Sequence, residues 1–141
     1  MKWNQKHALP HEGVYARIKP SNIHGVGVFA ICDIPKDTSL FSEDDSELIW
    51  TTKSALKLDA MPQEFRQLYD QFCLIKDKGK TYGCPRNFNL MTIAWYVNHS
   101  KTPNLGVDKA YAFYALRDIQ KGEELTADYQ SYNEFANAEC I

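Results

Sequence analysis

The apolar run Ile93-Ala94-Trp95-Tyr96-Val97 ends abruptly in Asn98-His99-Ser100, with Pro103 and Asn104 close behind. Side chains with several donors and acceptors, set where a buried strand or short helix stops, raise the free energy unless they bind one another, the backbone or a ligand. The rest of the chain must supply partners for this corner. Downstream come a predicted strand over Tyr111 to Leu116, an Asp-Ile-Gln-Lys-Gly-Glu-Glu turn, then Leu125-Thr126 and a tyrosine, Tyr129.

At 141 residues the chain fits one domain and can bury a core. Its 44% hydrophobic and 13% aromatic content predicts an ordered globule. A net charge of −2 lacks the footprint of a nucleic-acid-binding domain, so no direct nucleic-acid partner is expected. No run of 18 apolar residues spans a membrane, and MKWNQKHALPHEG lacks the apolar segment of a secretory signal. The expected location is intracellular, with nothing to separate cytoplasm from nucleus. Cys32, Cys73, Cys84 and Cys140 form no C-x-x-C pair, which predicts reduced thiols and no metal site.

Residues 1–13, with His7, Pro10, His11 and Gly13, read as an arm. Val14 to Ile18 alternates like a first strand. Lys19-Pro20-Ser21-Asn22 is turn chemistry, and Gly25-Val26-Gly27 precedes an apolar strand. A dinucleotide-binding reading of these glycines fails for want of a third glycine, a following helix and a later acidic partner. Asp33 to Thr38 reads as a hairpin turn returning through Ser39-Leu40-Phe41. The acidic run Glu43, Asp44, Asp45 and Glu47 is either a solvated face or a lip that draws in a basic peptide. A strand is predicted over Glu47 to Trp50. Pro62 opens a helix with Phe65, Leu68, Tyr69 and Phe72 on one stripe, a pattern that predicts core packing. Lys76 to Lys80 is a charged turn, Tyr82 to Pro85 is irregular, and Asn89 is placed to cap a short helix through Ala94.

N-H-S-x-x-P-N followed by A-x-R-D-I-x-x-G-E-E-L-T-x-D-Y resembles the C-terminal half of the SET domain, the fold of most protein lysine methyltransferases. The family's N-terminal turn is matched by His24-Gly25-Val26-Gly27-Val28-Phe29, followed by Asp33-Ile34-Pro35. Together these motifs cover roughly Tyr15 to Tyr132. The resemblance implies a mostly β fold with short helices, built of small curved sheets in a β-clip-like arrangement with a knot-like C-terminal threading. It places the SET domain at 14–132, with a variable insert at about 54–87 forming one wall of a peptide groove, and a short tail at 133–141 without a zinc-binding module.

The implied function is an S-adenosylmethionine-dependent enzyme, a protein-lysine N-methyltransferase whose partner is a basic protein or peptide carrying the target lysine. Small members can pair to complete a groove, so a homodimer is one expected assembly. Tyr129 takes the catalytic-tyrosine position. Asn98 would bind the amino-acid end of the cofactor, the backbone of His99 its adenine, and backbone groups of His24, Gly25 and Val26 its other side. Phe72, Tyr82, Tyr111, Phe113 and Tyr132 are the candidate walls of the lysine channel, with Tyr114 in reserve and Phe135 beside Tyr132 at its mouth. The chain departs from the family where Phe41-Ser42-Glu43-Asp44 replaces an E-Y-x-G setting, and where Gly106-Val107 replaces an aromatic beyond P-N. Fewer channel tyrosines leave room for a more methylated amine. Two other readings stay open: a SET-like module that only binds peptide or cofactor, and a Cys-His hydrolase using Cys84 or Cys73 with His99.

Overall fold

The computed structural model describes residues 9–42, 44 and 47–132. Among the described residues, besides short 3-10 turns, ten strands and two α-helices follow one another as β1 (Ala16–Pro20), β2 (Val26–Ala30), β3 (Ser39–Leu40), β4 (Ile49–Thr52), α1 (Lys53–Leu56), α2 (Gln63–Phe72), β5 (Leu74–Lys76), β6 (Thr81–Cys84), β7 (Asn98–His99), β8 (Leu105–Val107), β9 (Phe113–Ala115) and β10 (Glu124–Ala127). The larger sheet runs β1-β2-β10-β8-β9-β3 with β7 beside β10, and the smaller runs β4-β6-β5. No helix among the described residues is long and apolar enough to cross a membrane.

β10 is the hub. It pairs antiparallel with β2 and parallel with β7 and β8, so Leu125, Thr126 and Ala127 are all buried. Both its edges need satisfied backbone groups. Asn104 supplies two of them from a side chain, donating from Nδ2 to the Glu124 carbonyl at 2.8 Å and accepting the Thr126 N–H on Oδ1 at 2.8 Å. The Ser100 N–H adds a bond to the Ala127 carbonyl at 3.0 Å. Part of the polar cluster after Val97 is thus a backbone substitute that continues the sheet where the chain turns away.

Two turns of like sequence, Asp33-Ile34-Pro35 and Asp118-Ile119-Gln120, meet through reciprocal backbone bonds between Ile34 and Ile119 at 2.7 and 2.8 Å, and both isoleucines are almost wholly buried. This pairing corrects the expected hairpin. β3 returns to β9, not to β2, because burying the two isoleucines against one another carries the chain across the sheet.

Other expectations also shift. The first strand begins at Ala16, not Val14. Residues 81–84 are the central strand of the small sheet instead of irregular chain. The cap before the short turns is Asn87, whose Oδ1 accepts the Asn89 N–H at 2.8 Å. α2 does begin after Pro62, but Phe65 stays 58% exposed. Its stripe is split: Tyr69 meets Phe88 edge-on at 5.0 Å in a small second core with Cys73, Tyr82 and Cys84, while Phe72 meets Tyr96 at 5.4 Å. Phe135, Cys140, His7, Glu43 and Asp45 lie outside the described residues.

Candidate active site

Between the two sheets lies a cavity of about 870 Å³, within the usual range for ligand pockets. Its wall includes His24, Gly25, Val26, Asn98, Tyr129 and Tyr132 from the large sheet and its connections. Trp50, Leu74 and Ile75 come from the small sheet, Phe72 and Cys73 from the chain just before β5, and Tyr111 and Phe113 from β9 and the turn before it. The ionisable side chains on this wall include three carboxylates, Asp44, Glu47 and Asp70, and no lysine or arginine among the described residues.

Asn98 is 5% exposed. Its Nδ2 faces four acceptors: the His24 and Val26 carbonyls at 3.1 Å each, Ser21 Oγ at 3.2 Å and Glu124 Oε2 at 2.9 Å. That many acceptors fix which end of the amide is nitrogen. Oδ1 has no partner among the described residues, and Asn98 lines the cavity. Ser21 Oγ in turn donates to the Glu124 carboxylate at 2.7 Å and accepts the Ile23 N–H at 2.9 Å. Asn98, Ser21 and Glu124 therefore lock the glycine turn to the centre of the sheet. Ser21 and Glu124 escaped the sequence reading. The only signal was the G-E-E-L-T run, where the second glutamate enters a buried strand.

The two glycines have different reasons. Gly25 adopts φ +49° with nothing within 4 Å of a would-be Cβ, so it is required by backbone conformation. Gly27 makes room for the Glu124 carboxylate, which a Cβ would strike, with Ser21 Cβ 3.1 Å away. Gly27→Ala is expected to push the carboxylate off Ser21 and Asn98. The strand itself tolerates alanine, so stability falls by about 1–2 kcal/mol while the Asn98 amide loses its fixed orientation. Urea unfolding checks this.

Tyr129 follows the hub strand, and its hydroxyl donates to the Val97 carbonyl at 2.6 Å. Burial, with the Glu124 charge adding, pushes its pKa up to about 12. The phenol is neutral throughout the physiological range and is no general base. Tyr132, edge-on to Tyr129 at 6.0 Å and to Phe113 at 6.4 Å, is pushed up by burial as well, then by Tyr129 and Asp128. Because the folded state favours the protonated phenol of Tyr129, its stabilisation is whole below pH 10.0, the ordinary tyrosine value, and fades as pH rises towards about 12. Across that window wild type should lose up to about 2 kcal/mol more than Tyr129→Phe, read by denaturant unfolding at stepped pH.

His99 points its side chain away from the cavity. Its backbone pairs with Ala127. Its ring is 8% exposed and lies outside the cavity wall, against Tyr129 at 5.2 Å. Nδ1 accepts the Tyr129 N–H at 3.0 Å, which puts the ring proton on Nε2, a buried atom without a partner among the described residues. His99 thus holds the tyrosine in place from behind. Tyr82 is also placed off the cavity: it is 5% exposed in the small core, because its strand is central there and its ring completes that cluster. Phe41 takes a wall position that the sequence reading did not give it, at φ +60° and edge-on to Phe113 at 5.9 Å. Where the family's aromatic beyond P-N is absent, the space over Gly106 is filled by the Tyr114 ring from the paired strand.

A Cys-His pair is not assembled. Cys73 donates its thiol proton to Cys84 across the small sheet, which lowers the pKa of Cys84 and raises that of Cys73, and the His99 ring is bonded to Tyr129 instead. No cluster of metal-ligating side chains occurs among the described residues.

Comparison with known proteins agrees with this architecture. The chain is 28% identical over 135 residues to a Chaetomium globosum histone-lysine N-methyltransferase specific for H3 lysine-4, a match that covers 86% of this chain and 11% of that protein. It is 30% identical over 134 residues to the variant-silencing SET domain-containing protein of Plasmodium falciparum, covering 88% of this chain and 5% of that one. The chain thus spans about a tenth or less of the length of these relatives. The crystal structure of a candidate histone methyltransferase from Plasmodium falciparum superposes with a TM-score of 0.51 at 22% identity, over 82% of this chain and 93% of that one. The SET domain model itself matches residues 25–130, and with the hub strand, the asparagine corner and the tyrosine that follows them, the chain belongs to the SET domain family.

Proposed function

We propose that the chain is a protein-lysine N-methyltransferase that uses S-adenosylmethionine. The reading rests on one observation: a pinned, neutral Tyr129 hydroxyl and an unpartnered Asn98 Oδ1 share the wall of a single aromatic cavity with a carboxylate-bearing lining. The donor set suits the cofactor, since Asn98 Oδ1 can accept from an ammonium and the ring faces of Tyr129, Tyr132 and Phe113 suit a sulfonium. S-adenosylmethionine supplies an already activated methyl group, so alignment is the main task left to the protein.

Asp44, Glu47 and Asp70 attract the substrate's ammonium to the opening. Further in, the rings disfavour the charged amine, offsetting part of the roughly 4–5 kcal/mol that deprotonating a lysine costs at neutral pH. With its proton committed to Val97, Tyr129 presents lone pairs that accept an amine N–H and set the direction of the nitrogen's own lone pair. The lysine proton leaves to solvent, as the phenol cannot take it.

Labelled S-adenosylmethionine incubated with mixed basic proteins tests the reading. Retained label that disappears with Tyr129→Phe supports it. Cofactor uptake by calorimetry without any retained label would favour a binding module.

A further inference from the structure

Lys76, at the end of β5, points its ammonium into a notch between two rings: Nζ is 4.7 Å from the Trp50 centroid and 4.5 Å from that of Tyr111. The rings are 5.9 Å apart and inclined at 52°. Both line the cavity. Lys76 has no carboxylate partner among the described residues, so the two ring faces are what hold its charge there.

The notch is built before anything enters it. Trp50 lies flat on Gly83, its register partner on β6, where a Cβ would come within 2.8 Å of the indole. Tyr111 sits at φ +64°, a region that bulky residues avoid. Asp108 enforces it: the Asp108 carboxylate accepts the Ala110 and Ala112 N–H groups at 2.8 and 3.0 Å, and its carbonyl accepts the Tyr111 N–H at 3.0 Å. Three separate segments thus converge on a cation seat at the rim of a cavity whose wall carries carboxylates. An exposed ring pair holds a lysine by only about 0.5–1 kcal/mol, and Trp50 is 41% exposed. The occupant can be exchanged.

We propose that the Trp50–Tyr111 notch is a substrate subsite for a basic side chain flanking the target lysine, kept filled by Lys76 until that side chain displaces it. The proposal rests on the methyltransferase reading for the identity of the ligand, but its test needs no methyl transfer. A guanidinium suits the seat, since its weakly hydrated plane stacks on aromatic faces.

The probes are two synthetic ten-residue peptides with one lysine, one carrying an arginine two positions away and the other citrulline in its place. NMR titration of the wild-type protein, saturated with S-adenosylhomocysteine, reads both peptide affinity and the Lys76 Cε protons, which the rings shift upfield. The arginine peptide should bind about two- to fivefold tighter than its twin and move the Lys76 resonances towards those of a free lysine. Trp50→Leu and Gly83→Ala, which dislodges the indole without changing any charge or ring, should abolish the difference. Lys76→Ala, which removes the competitor, should enlarge it. Equal binding of the two peptides to wild type and Lys76→Ala, or Lys76 protons that stay upfield at saturation, would overturn the proposal. Absence of labelled product with every basic protein would instead sink the methyltransferase reading and leave the cation seat measurable.

Discussion

Tyr129→Phe is expected to lower kcat about 100-fold while leaving S-adenosylmethionine affinity within a factor of about two. The phenol is half-buried and its ring packs against both His99 and Tyr132, contacts that phenylalanine preserves. What the substitution removes is one oxygen, bonded to the Val97 carbonyl. Losing that bond leaves a carbonyl unpaired and costs about 1 kcal/mol of stability, too little to unfold the domain. The catalytic loss is larger because the oxygen's lone pairs fix the approach of the amine, and a positioned polar group aimed at the reacting centre is commonly worth two to three orders of magnitude. Single-turnover kinetics with labelled cofactor separates the cases: slow chemistry with normal uptake fits the assignment, whereas unchanged turnover removes Tyr129 from it.

His99→Ala gives the same prediction from behind. Its ring accepts the Tyr129 N–H, so His99 acts as a positioning residue.

How far this site was readable depended on whether a residue's partner lay in its own segment. The asparagine corner and the terminal tyrosine announce themselves because buried polar groups in a local cluster need explaining. The wall of the cavity was legible only as a set of candidates: Phe72, Tyr111, Phe113 and Tyr132 do line it and Tyr82 does not, because the segments that bring them together meet through the hub strand and the Ile34–Ile119 bridge. Tyr82 and Tyr111 show why composition could not sort the tyrosines. One falls on the central strand of a small sheet and packs inward, and the other is thrown out by an Asp108-centred turn at positive φ. Trp50 gave no signal at all, because its seat on Gly83 exists only through the pairing of β4 with β6. The glycine motif was readable as a feature but not as a mechanism: that Gly27 is small for the sake of Glu124, nearly a hundred residues on, requires the β2–β10 register.

Asn98→Ala should destabilise the fold by about 2–4 kcal/mol, a large share of the roughly 5–15 kcal/mol that holds a domain together. The amide nitrogen is the common donor for two backbone carbonyls, a serine oxygen and a carboxylate, and its removal leaves Glu124 facing a void in a buried strand. Asn98→Asp, close to isosteric, should be at least as damaging. It replaces the donor with a second carboxylate beside Glu124, and like charges at hydrogen-bond distance cannot both stay ionised at low cost. The two variants then part with pH. The aspartate variant regains stability as pH falls and the pair shares a proton, which restores one donor to the site, while the alanine variant has no such recovery. Urea midpoints measured for both from pH 7 down to pH 5 decide it. An aspartate variant as stable as wild type at pH 7 would mean that the nitrogen of Asn98 does not face Glu124, and the orientation that leaves Oδ1 free for a cofactor's ammonium would fall with it.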